Sequence, residues 1–295
     1  MEILIIGKTG QLGSLLIKDA LAWGHKVFAP SRQELDITNM DDFLDIMKTY
    51  KPEIVINTAA FHNVPLCEVE PIKAFHLNCL AVKKMAEISQ DYNSWFVSFS
   101  TDYVFGGEKR TPYKESDIPN PLQIYGLSKL AGEYAALSYE NSIIIRTCGL
   151  YGMQGASSKG GNFVDNRIKD SKQNKKIEIS NDQTVSPTYS GDLSIAVLQL
   201  IAHPSKKKGI YHLVNEGYCT WYEFTKEIFK LTGINREVIP VDRKGKTGDM
   251  RRPLFSALKN ENARKIGIVL PNWKEGLHDY IEKKYVEGYN ENCYR

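Results

Sequence analysis

The feature that most constrains the fold of this chain is a group of three glycines near its N-terminus. Gly7, Gly10 and Gly13 follow the apolar residues 3–6 and precede the amphipathic residues 14–22. A strand, a glycine turn and a helix in this order let a backbone without Cβ atoms approach a pyrophosphate at a helix N-terminus. The pattern predicts a dinucleotide site lined by Gly7, Gly10, Gln11, Leu12 and Gly13.

Two other interpretations of the glycine turn have to be weighed. Gly7-Lys8-Thr9 looks like the end of a phosphate-binding P-loop, but that motif requires a glycine five positions before Gly7. Glu2 stands there, so the P-loop is excluded. The remaining alternative is a turn that only packs a helix on a strand, and residues elsewhere in the chain must decide against it.

The composition is that of an ordinary globular protein. The 295 residues are 42% hydrophobic, and 38 Lys and Arg against 35 Asp and Glu leave a formal charge of +3. A balance this close to neutral gives no overall field that favours nucleic acid or a membrane surface as a partner. The chain starts with a strand and has no apolar stretch long enough to span a bilayer, so we expect a cytoplasmic protein.

Cysteine and histidine spacing predicts no metal site. The five cysteines are odd in number and scattered, which fits a reducing compartment better than a disulfide framework. His62 and His76 stand apart from Cys, Asp and Glu at ligand spacing. We therefore expect chemistry without a metal.

Apolar runs alternate with helical patterns through the first half of the chain. This alternation predicts an α/β fold with a doubly wound parallel Rossmann sheet. The expected strands are residues 3–6, 26–29, 53–58, 95–100 and 142–147, and the expected helices are residues 14–22, 40–50, 72–92 and 125–138.

The regularity weakens after about residue 150. Residues 152–161 are rich in Gly, Ser and Lys and predict a loop beside a cleft. Later helices are expected at residues 162–169, 192–202 and 221–232. We expect a dinucleotide-binding domain over residues 1–150, to which residues 185–215 return, and a smaller C-terminal substrate-binding lobe that takes most of residues 151–295.

A tyrosine and a lysine four residues apart are candidates for the chemistry. Tyr125 and Lys129 lie in a segment with helical periodicity, so their side chains share one helix face. A free phenol has a pKa of about 10, and a nearby ammonium stabilises the phenolate, which makes such a tyrosine a usable proton donor. The alternative for an isolated pair of this kind is surface solvation.

The context of this pair carries a family resemblance. Residues 98–105 (Ser-Phe-Ser-Thr-Asp-Tyr-Val-Phe) end an expected strand with hydroxyls and a carboxylate, where an α/β sheet exposes its ligands. With residues 112–115 (Pro-Tyr-Lys-Glu) and 121–133 around Tyr125, this segment resembles the extended short-chain dehydrogenases/reductases and is most similar to the dTDP-4-dehydrorhamnose reductases. The similarity continues through Asn181-Asp182-Gln183, Pro187-Thr188, Tyr211-His212-Leu213, Thr220-Trp221-Tyr222 and Arg251-Arg252-Pro253.

The resemblance implies an enzyme that reduces the C4 keto group of a nucleotide-linked 4-keto-6-deoxysugar. The conservative substrate is dTDP-4-dehydro-L-rhamnose, whose product, dTDP-L-rhamnose, serves cell-surface polysaccharide biosynthesis. Thr101, Tyr125 and Lys129 match the catalytic trio: Thr101 and Tyr125 would bind the carbonyl, Tyr125 would supply the proton, and Lys129 would lower the tyrosine pKa and hold the cofactor ribose. The implied substrate-binding residues are Thr101, Asp102, Asn162, Phe163 and Arg252.

Some of these assignments have structural alternatives. A guanidinium binds phosphate oxygens bidentately, but Arg252 can equally form a structural salt bridge. Asn78 matches an asparagine that lies near the catalytic lysine, with a capping or core hydrogen-bonding role as the alternative. The expected partner is the nucleotide-sugar substrate, with a homodimer as an option.

Residues after the second expected strand bear on the choice of cofactor. A carboxylate there would bind the adenosine ribose hydroxyls and favour NAD, whereas this chain has Pro30-Ser31-Arg32. Ser31 and Arg32 can bind a 2′-phosphate, so NADPH is the expected cofactor and NADH the alternative. A solvated Arg32 is the other interpretation. By the resemblance, further residues complete the cofactor groove: Asp36, Ile37, Ala59, Ala60 and Phe61.

Two departures from the family pattern concern the walls of the sugar site. Residues 64–68 read Val-Pro-Leu-Cys-Glu where the family usually has Val-Asp-Lys-Ala-Glu, so a charged pair is gone. Gly149 replaces the tryptophan of an Arg-Thr-x-Trp segment that lines the sugar site in the best-matched relatives, which removes a large stacking wall. Both changes can alter substrate orientation or epimer choice without touching the hydride chemistry.

Two other functions are compatible with the resemblance. The regulatory subunit of methionine adenosyltransferase keeps the fold and the cofactor groove, so a non-catalytic binding protein is one alternative. A nucleotide-sugar epimerase or dehydratase is the other. A dehydratase needs an acidic pair after the strand-end threonine, and here Asp102 is followed by Tyr103, which favours simple reduction.

Overall fold

A computed structural model describes residues 1–153, 161–173, 176–244, 246–247 and 250–287. Its centre is a parallel sheet of six strands in the order β2-β1-β3-β4-β5-β10. These strands are β1 (Glu2–Ile6), β2 (Lys26–Phe28), β3 (Ile54–Asn57), β4 (Trp95–Thr101), β5 (Ser142–Thr147) and β10 (Gly209–His212). The α/β fold with a parallel Rossmann-type sheet that the alternating pattern predicts is confirmed.

The helices that flank this sheet lie close to their expected positions. They are α1 (Gly13–Ala22), α2 (Met40–Tyr50), α3 (Val64–Val69), α4 (Pro71–Phe75), α5 (Ala81–Asp91), α6 (Ile124–Ala136) and α8 (Ser190–Ala202). One apolar cluster joins α1 and α8 to one face of the sheet, and a second cluster joins α2, α5 and the end of α6 to the other face. The short helix α3 has no counterpart among the expected elements.

The single helix expected over residues 72–92 is interrupted by a π-helix at His76–Leu80. The buried Asn78 on this wide turn donates from its Nδ2 to the Ser128 hydroxyl and exchanges hydrogen bonds with the backbone of Phe61. A Cβ on Gly132 of α6 would overlap the Asn78 carbonyl oxygen, so glycine is needed for this close approach. The π-turn therefore fastens the loop after β3 to the helix that carries Tyr125.

The rest of the chain forms smaller sheets and helices. The strands are β6 (Leu150–Tyr151), β7 (Lys176–Ser180), β8 (Thr184–Val185), β9 (Thr188–Tyr189), β11 (Cys219–Thr220), β12 (Glu237–Val241), β13 (Lys246–Thr247) and β14 (Met250–Arg251), and the helices are α7 (Phe163–Gln173), α9 (Trp221–Leu231), α10 (Glu261–Lys265) and α11 (Trp273–Ile281). A core rich in aromatic residues packs α7, α9 and α11 together. The predicted loop at residues 152–161 falls largely outside the described residues.

Candidate active site

The strand order reverses between β1 and β3, and the glycine turn lies at this point. Open parallel sheets bind ligands at the carboxyl ends of the strands where the order reverses. Gly7 follows β1 with φ +95°, and its missing Cβ leaves room for the Thr58 hydroxyl beyond β3. A Cβ on Gly13 would overlap the Gly7 carbonyl oxygen, whereas one on Gly10 would lie 3.3 Å from it. The turn is therefore tight at Gly7 and Gly13.

The glycine turn fits a pyrophosphate. Helix α1 begins at Gly13, and no side chain caps its N-terminus or places an acid in its first turn. The N-terminus of this helix is thus open to an anion, which the helix dipole favours. Gln11, beside this turn, has a buried Oε1 without a hydrogen-bond partner. These features fit a bound dinucleotide, and Leu12 packs inward in the core beneath it.

The turn after β2 contains the residues expected at the adenosine end. Ser31 is half-buried and Arg32 is exposed next to Asp36, whose pKa is lowered by hydrogen bonds from the Thr38 backbone and hydroxyl and further by Arg32. Ile37 is buried in the core of this face. The amide and hydroxyl of Ser31 both engage Glu34, a residue that the sequence reasoning missed.

The loop after β3 forms the opposite side of the groove. Ala59 donates its N–H to the buried Asn57 side chain, and Asn78 holds both backbone groups of Phe61. Ala59, Ala60 and Phe61 are all half-buried. The structure thus brings this loop against the glycine turn, as a cofactor groove requires.

The expected catalytic trio is brought together at the end of β4. Thr101 is the last residue of that strand and is 7% exposed. Its hydroxyl is close enough to the Tyr125 phenol to lower the pKa of that phenol. Tyr125 and Lys129 are on one face of α6, which Gln123 caps through the N–H of Gly126. A Cβ on Gly126 would overlap the Tyr103 carbonyl oxygen, so glycine at this position lets the helix approach the end of the strand.

Burial governs the ionisation of the pair on α6. Desolvation and the nearby Asp102 carboxylate raise the pKa of Tyr125, while the Thr101 hydroxyl lowers it. Desolvation lowers the pKa of Lys129 to about 8, and Glu133, one turn further along the helix, raises it. The phenol is therefore protonated at neutral pH, the form that donates a proton in a reduction. The lowering of the phenol pKa by Lys129 stays a prediction.

Glu133 belongs to a buried ion pair under the site. Its carboxylate binds Arg146 of β5 through Nε at 2.9 Å and Nη2 at 2.6 Å. The third nitrogen of Arg146 faces His212, whose pKa burial and Arg146 lower to about 3. The spacing of Glu133 from Lys129, four residues on a helix, is the signal by which the sequence could have identified it.

Asp102 faces the protein rather than open space. One carboxylate oxygen accepts a hydrogen bond from Thr101 at 3.0 Å, and the other accepts one from Ser256 at 2.6 Å. Burial raises its pKa despite these bonds. This geometry gives Asp102 a role in orienting the Thr101 hydroxyl, and its expected contact with substrate stays a prediction.

Arg252 is linked to Tyr125 through Tyr103. Its Nη1 donates to the Tyr103 hydroxyl at 3.1 Å, and the Tyr103 ring packs edge-on against Tyr125 with centroids 6.2 Å apart. Burial raises the pKa of Tyr103 to about 12. The buried Nε of Arg252 has no partner in the described structure. A guanidinium with a free donor, one ring away from Tyr125, fits the expected role in phosphate binding.

Asn162 is used within the protein. Its Oδ1 caps α7 through the N–H of Asp165, and its Nδ2 donates to the Gly152 carbonyl and lies 2.9 Å from the Tyr280 hydroxyl. The side chain is buried, so what the structure assigns to it is anchoring of the chain before α7. Phe163 is half-buried and packs on Trp221 with ring centroids 4.4 Å apart. Diphosphate contacts by both residues stay predictions.

Trp221 lies against the position from which the family tryptophan is missing. Gly149 has φ +55°, and a Cβ there would be 3.2 Å from the Pro187 Cα and 3.4 Å from Cη2 of Trp221. The Trp221 ring packs both on the aromatic core and on a second apolar cluster that includes Val104 and Phe105, just after β4. Trp221 and Phe163, which belong to later elements of the chain, therefore form an aromatic wall near the end of β5.

The altered segment at residues 64–68 supports α6. It forms α3, and Asn63 caps it through the N–H of Leu66. Glu68 accepts a hydrogen bond from the N–H of Ile124 at 2.7 Å, at the first residue of α6. The buried Cys67 thiol donates to the Phe61 carbonyl at 3.4 Å. This segment thus links the cofactor loop to the helix of Tyr125.

Two searches of the described residues bear on other classes of protein. No group of three or more His, Cys, Asp or Glu side chains is placed to hold a metal ion within these ranges. Among the same residues, the helices are too short or too polar to cross a membrane.

Comparison with known proteins gives full-length matches. The family model described as "RmlD substrate binding domain" matches residues 1–286. The spore coat polysaccharide biosynthesis protein SpsK of Bacillus subtilis is 34% identical, covering 96% of this chain and 98% of that protein. The dTDP-4-dehydrorhamnose reductase of Aggregatibacter actinomycetemcomitans is 35% identical, with 94% and 97% covered. The crystal structure of dTDP-4-dehydrorhamnose reductase from Bacillus anthracis in complex with NADP has a TM-score of 0.90 and 33% identity, and covers 96% of this chain and 99% of that one.

Proposed function

This chain belongs to the dTDP-4-dehydrorhamnose reductase family, and on that premise we propose that it reduces the C4 keto group of a nucleotide-linked 4-keto-6-deoxysugar with NADPH. The family expected from the sequence motifs is confirmed. The proposed substrate is dTDP-4-dehydro-L-rhamnose, and the product, dTDP-L-rhamnose, would enter polysaccharide biosynthesis. A cytoplasmic location and a homodimer are parts of the same proposal.

The observation that carries the proposal is the position of three side chains at the end of β4, on the same edge of the sheet as the glycine turn. Thr101, Tyr125 and Lys129 come from two elements and converge where the sheet exposes its strand ends. The Gly7 to Gly13 cradle, which a Cβ would fill, fits the pyrophosphate of a nicotinamide dinucleotide. When bound, this cofactor supplies the hydride.

The chain's own residues perform the acid chemistry. The Tyr125 phenol donates a hydrogen bond to the sugar carbonyl oxygen and so polarises it, and the Thr101 hydroxyl adds a second one when its proton turns from Asp102 to that oxygen. Tyr125 then gives its proton to that oxygen, and the Lys129 ammonium stabilises the resulting phenolate. Before substrate arrives, Asp102 accepts the Thr101 hydrogen bond and a second one from Ser256, which holds Thr101 in position at the end of β4. The buried setting strengthens these interactions, because few water dipoles compete with them.

The test is a coupled assay. dTDP-4-keto-6-deoxyglucose is supplied with and without a 3,5-epimerase, and loss of NADPH absorbance is compared with the amount of reduced sugar. Oxidation that requires the epimerase, with one NADPH consumed per product, is the expected result. Tight NADPH binding without turnover would favour a regulatory subunit. Conversion of sugar without net oxidation would favour an epimerase.

A variant pair makes the assignment of the acid specific. Tyr125→Phe is expected to lower kcat by about 10²–10⁴-fold, the range for loss of a general acid, while NADPH still binds. Tyr134→Phe is the matched control, because Tyr134 is on the same helix but 59% exposed. Equal activity of the two variants would reject Tyr125 as the proton donor.

A further inference from the structure

The turn after β2 holds a carboxylate where an anion-binding site would be expected. The Ser31 N–H donates to Oε2 of Glu34 at 2.6 Å, and the Glu34 N–H donates to the Ser31 hydroxyl at 3.3 Å. This reciprocal pair is the arrangement of a helix capping box, here around a single turn. Glu34 therefore occupies both the amide and the hydroxyl of Ser31, the residue expected to bind a 2′-phosphate.

A cation completes this site from the glycine turn. Nζ of Lys8 lies 3.8 Å from Oε2 of Glu34, and Lys8 stands between Gly7 and Gly10. β1 and β2 are neighbours in the sheet, so the residues that follow them, Lys8 and Ser31, border one groove. The exposed Arg32 is on the same turn. The N–H and hydroxyl of Ser31 and the Lys8 ammonium thus engage Glu34, and Arg32 is available on the same turn, a donor set that also suits a phosphate.

We propose that Glu34 is an internal competitor for the 2′-phosphate of NADP and thereby sets the selectivity of the enzyme between NADP and NAD. The inference rests on the proposed function, since it concerns the cofactor of that reaction. With NADP, the phosphate takes the Ser31 and Lys8 contacts and Glu34 must turn away. With NAD, the Glu34 carboxylate stays and can accept a hydrogen bond from the ribose 2′-hydroxyl. A single side chain therefore opposes one cofactor and supports the other.

The Glu34 side chain is ionised at neutral pH. Its pKa is lowered by the hydrogen bonds from the backbone and side chain of Ser31 and by the Lys8 ammonium. A carboxylate next to a phosphate dianion is repulsive, and the site is open to solvent, so the effect is modest and falls with salt.

Glu34→Gln separates charge from turn structure. The glutamine carbonyl can still accept the Ser31 N–H, so the turn is preserved while the negative charge is removed. Isothermal titration of the purified protein with NADP⁺ and with NAD⁺, at low and high ionic strength, measures both affinities without any sugar. Adenosine 2′,5′-bisphosphate and AMP, titrated in the same way, isolate the phosphate contact from the nicotinamide.

The expected result is a change in the ratio of the two affinities. Glu34→Gln should tighten NADP⁺ and adenosine 2′,5′-bisphosphate binding by about threefold and weaken NAD⁺ binding, since charge interactions at an exposed site are modest. Lys8→Met should weaken NADP⁺ binding and affect NAD⁺ less. The control is Glu237→Gln, which breaks an exposed pair with Lys176 on other strands and should change neither affinity.

Two outcomes would overturn the inference. An unchanged affinity ratio in Glu34→Gln, or equal weakening of both nucleotides, would reduce Glu34 to a structural cap. If the unmodified protein binds both dinucleotides and Glu34→Gln gives one of these outcomes, only this inference fails. If it bound neither, the proposed function would fail with it.

Discussion

Replacing Glu133 by glutamine should destabilise the protein strongly. Both members of the Glu133–Arg146 pair are 1% exposed, and the guanidinium forms two hydrogen bonds with the carboxylate. Glutamine would leave the Arg146 charge buried without its counter-charge, and removal of one partner of such a pair costs about 3–5 kcal/mol. At about 2.1 cal/mol/K of unfolding entropy per residue, this loss corresponds to a fall in Tm of about 5–8 °C for a chain of this length.

The assay is guanidinium-induced unfolding at equilibrium, supported by scanning calorimetry. Glu237→Gln is the matched control, because its pair with Lys176 is 58% and 65% exposed and should contribute at most about 1 kcal/mol. A loss in Glu133→Gln that stays within about 1 kcal/mol of this control would refute the reasoning that burial makes the pair costly to break.

The same variant should change the pH profile of the reaction. Glu133 raises the pKa of Lys129, whose burial lowers it to about 8. Without the Glu133 charge, Lys129 loses its proton at lower pH, so the alkaline limb of kcat/KM should move to lower pH. A limb that does not move, in protein shown to be folded at the assay temperature, would show that Glu133 does not control the protonation of Lys129.

Three further predictions concern the turn, the lysine and the aromatic wall. Gly13→Ala should weaken NADP⁺ binding and cost about 1–3 kcal/mol in overpacking, whereas Gly10→Ala, with its Cβ at 3.3 Å, should do much less, and titration with chemical unfolding checks both. In the unmodified enzyme, activity should fall as pH rises through about 8 because the Lys129 ammonium is lost, and an active Lys129→Arg variant should keep its charge and lack this limb. Trp221→Leu should raise KM for the nucleotide sugar more than it changes NADP⁺ affinity, since the ring lies 3.4 Å from a Cβ position on Gly149, and equal effects on both ligands would contradict the wall.

The local sequence pattern was enough to predict the parallel sheet and the helix that carries Tyr125 and Lys129. Gly7 and Gly13 occupy positions where only glycine fits, and the spacing of the glycines in the sequence indicates this. Tyr125 and Lys129 are four residues apart, and helical geometry alone puts them on one face. The apolar runs that form β1, β3, β4 and β5 are also local features. The sequence therefore predicts where these strands lie along the chain, but not their order in the sheet.

Contacts between distant segments could not be obtained in this way. Asn78 contacts Phe61 and Ser128 from a π-helix, and nothing in its local sequence pattern signals either the π-helix or the contacts. The Trp221 ring lies against Gly149 but belongs to a distant part of the chain. A comparison of the motif around Gly149 therefore shows only that the family tryptophan is absent there.

The sequence by itself determined where a dinucleotide and a proton donor can be placed, since those depend on backbone conformation and on spacing along single elements. The tertiary structure decided how the site is held and charged. Asp102 turns toward Ser256, Glu133 binds Arg146, and Glu34 occupies the amide of Ser31. The energies of buried charges and of competing anions depend on distances between segments, and folding alone sets those distances.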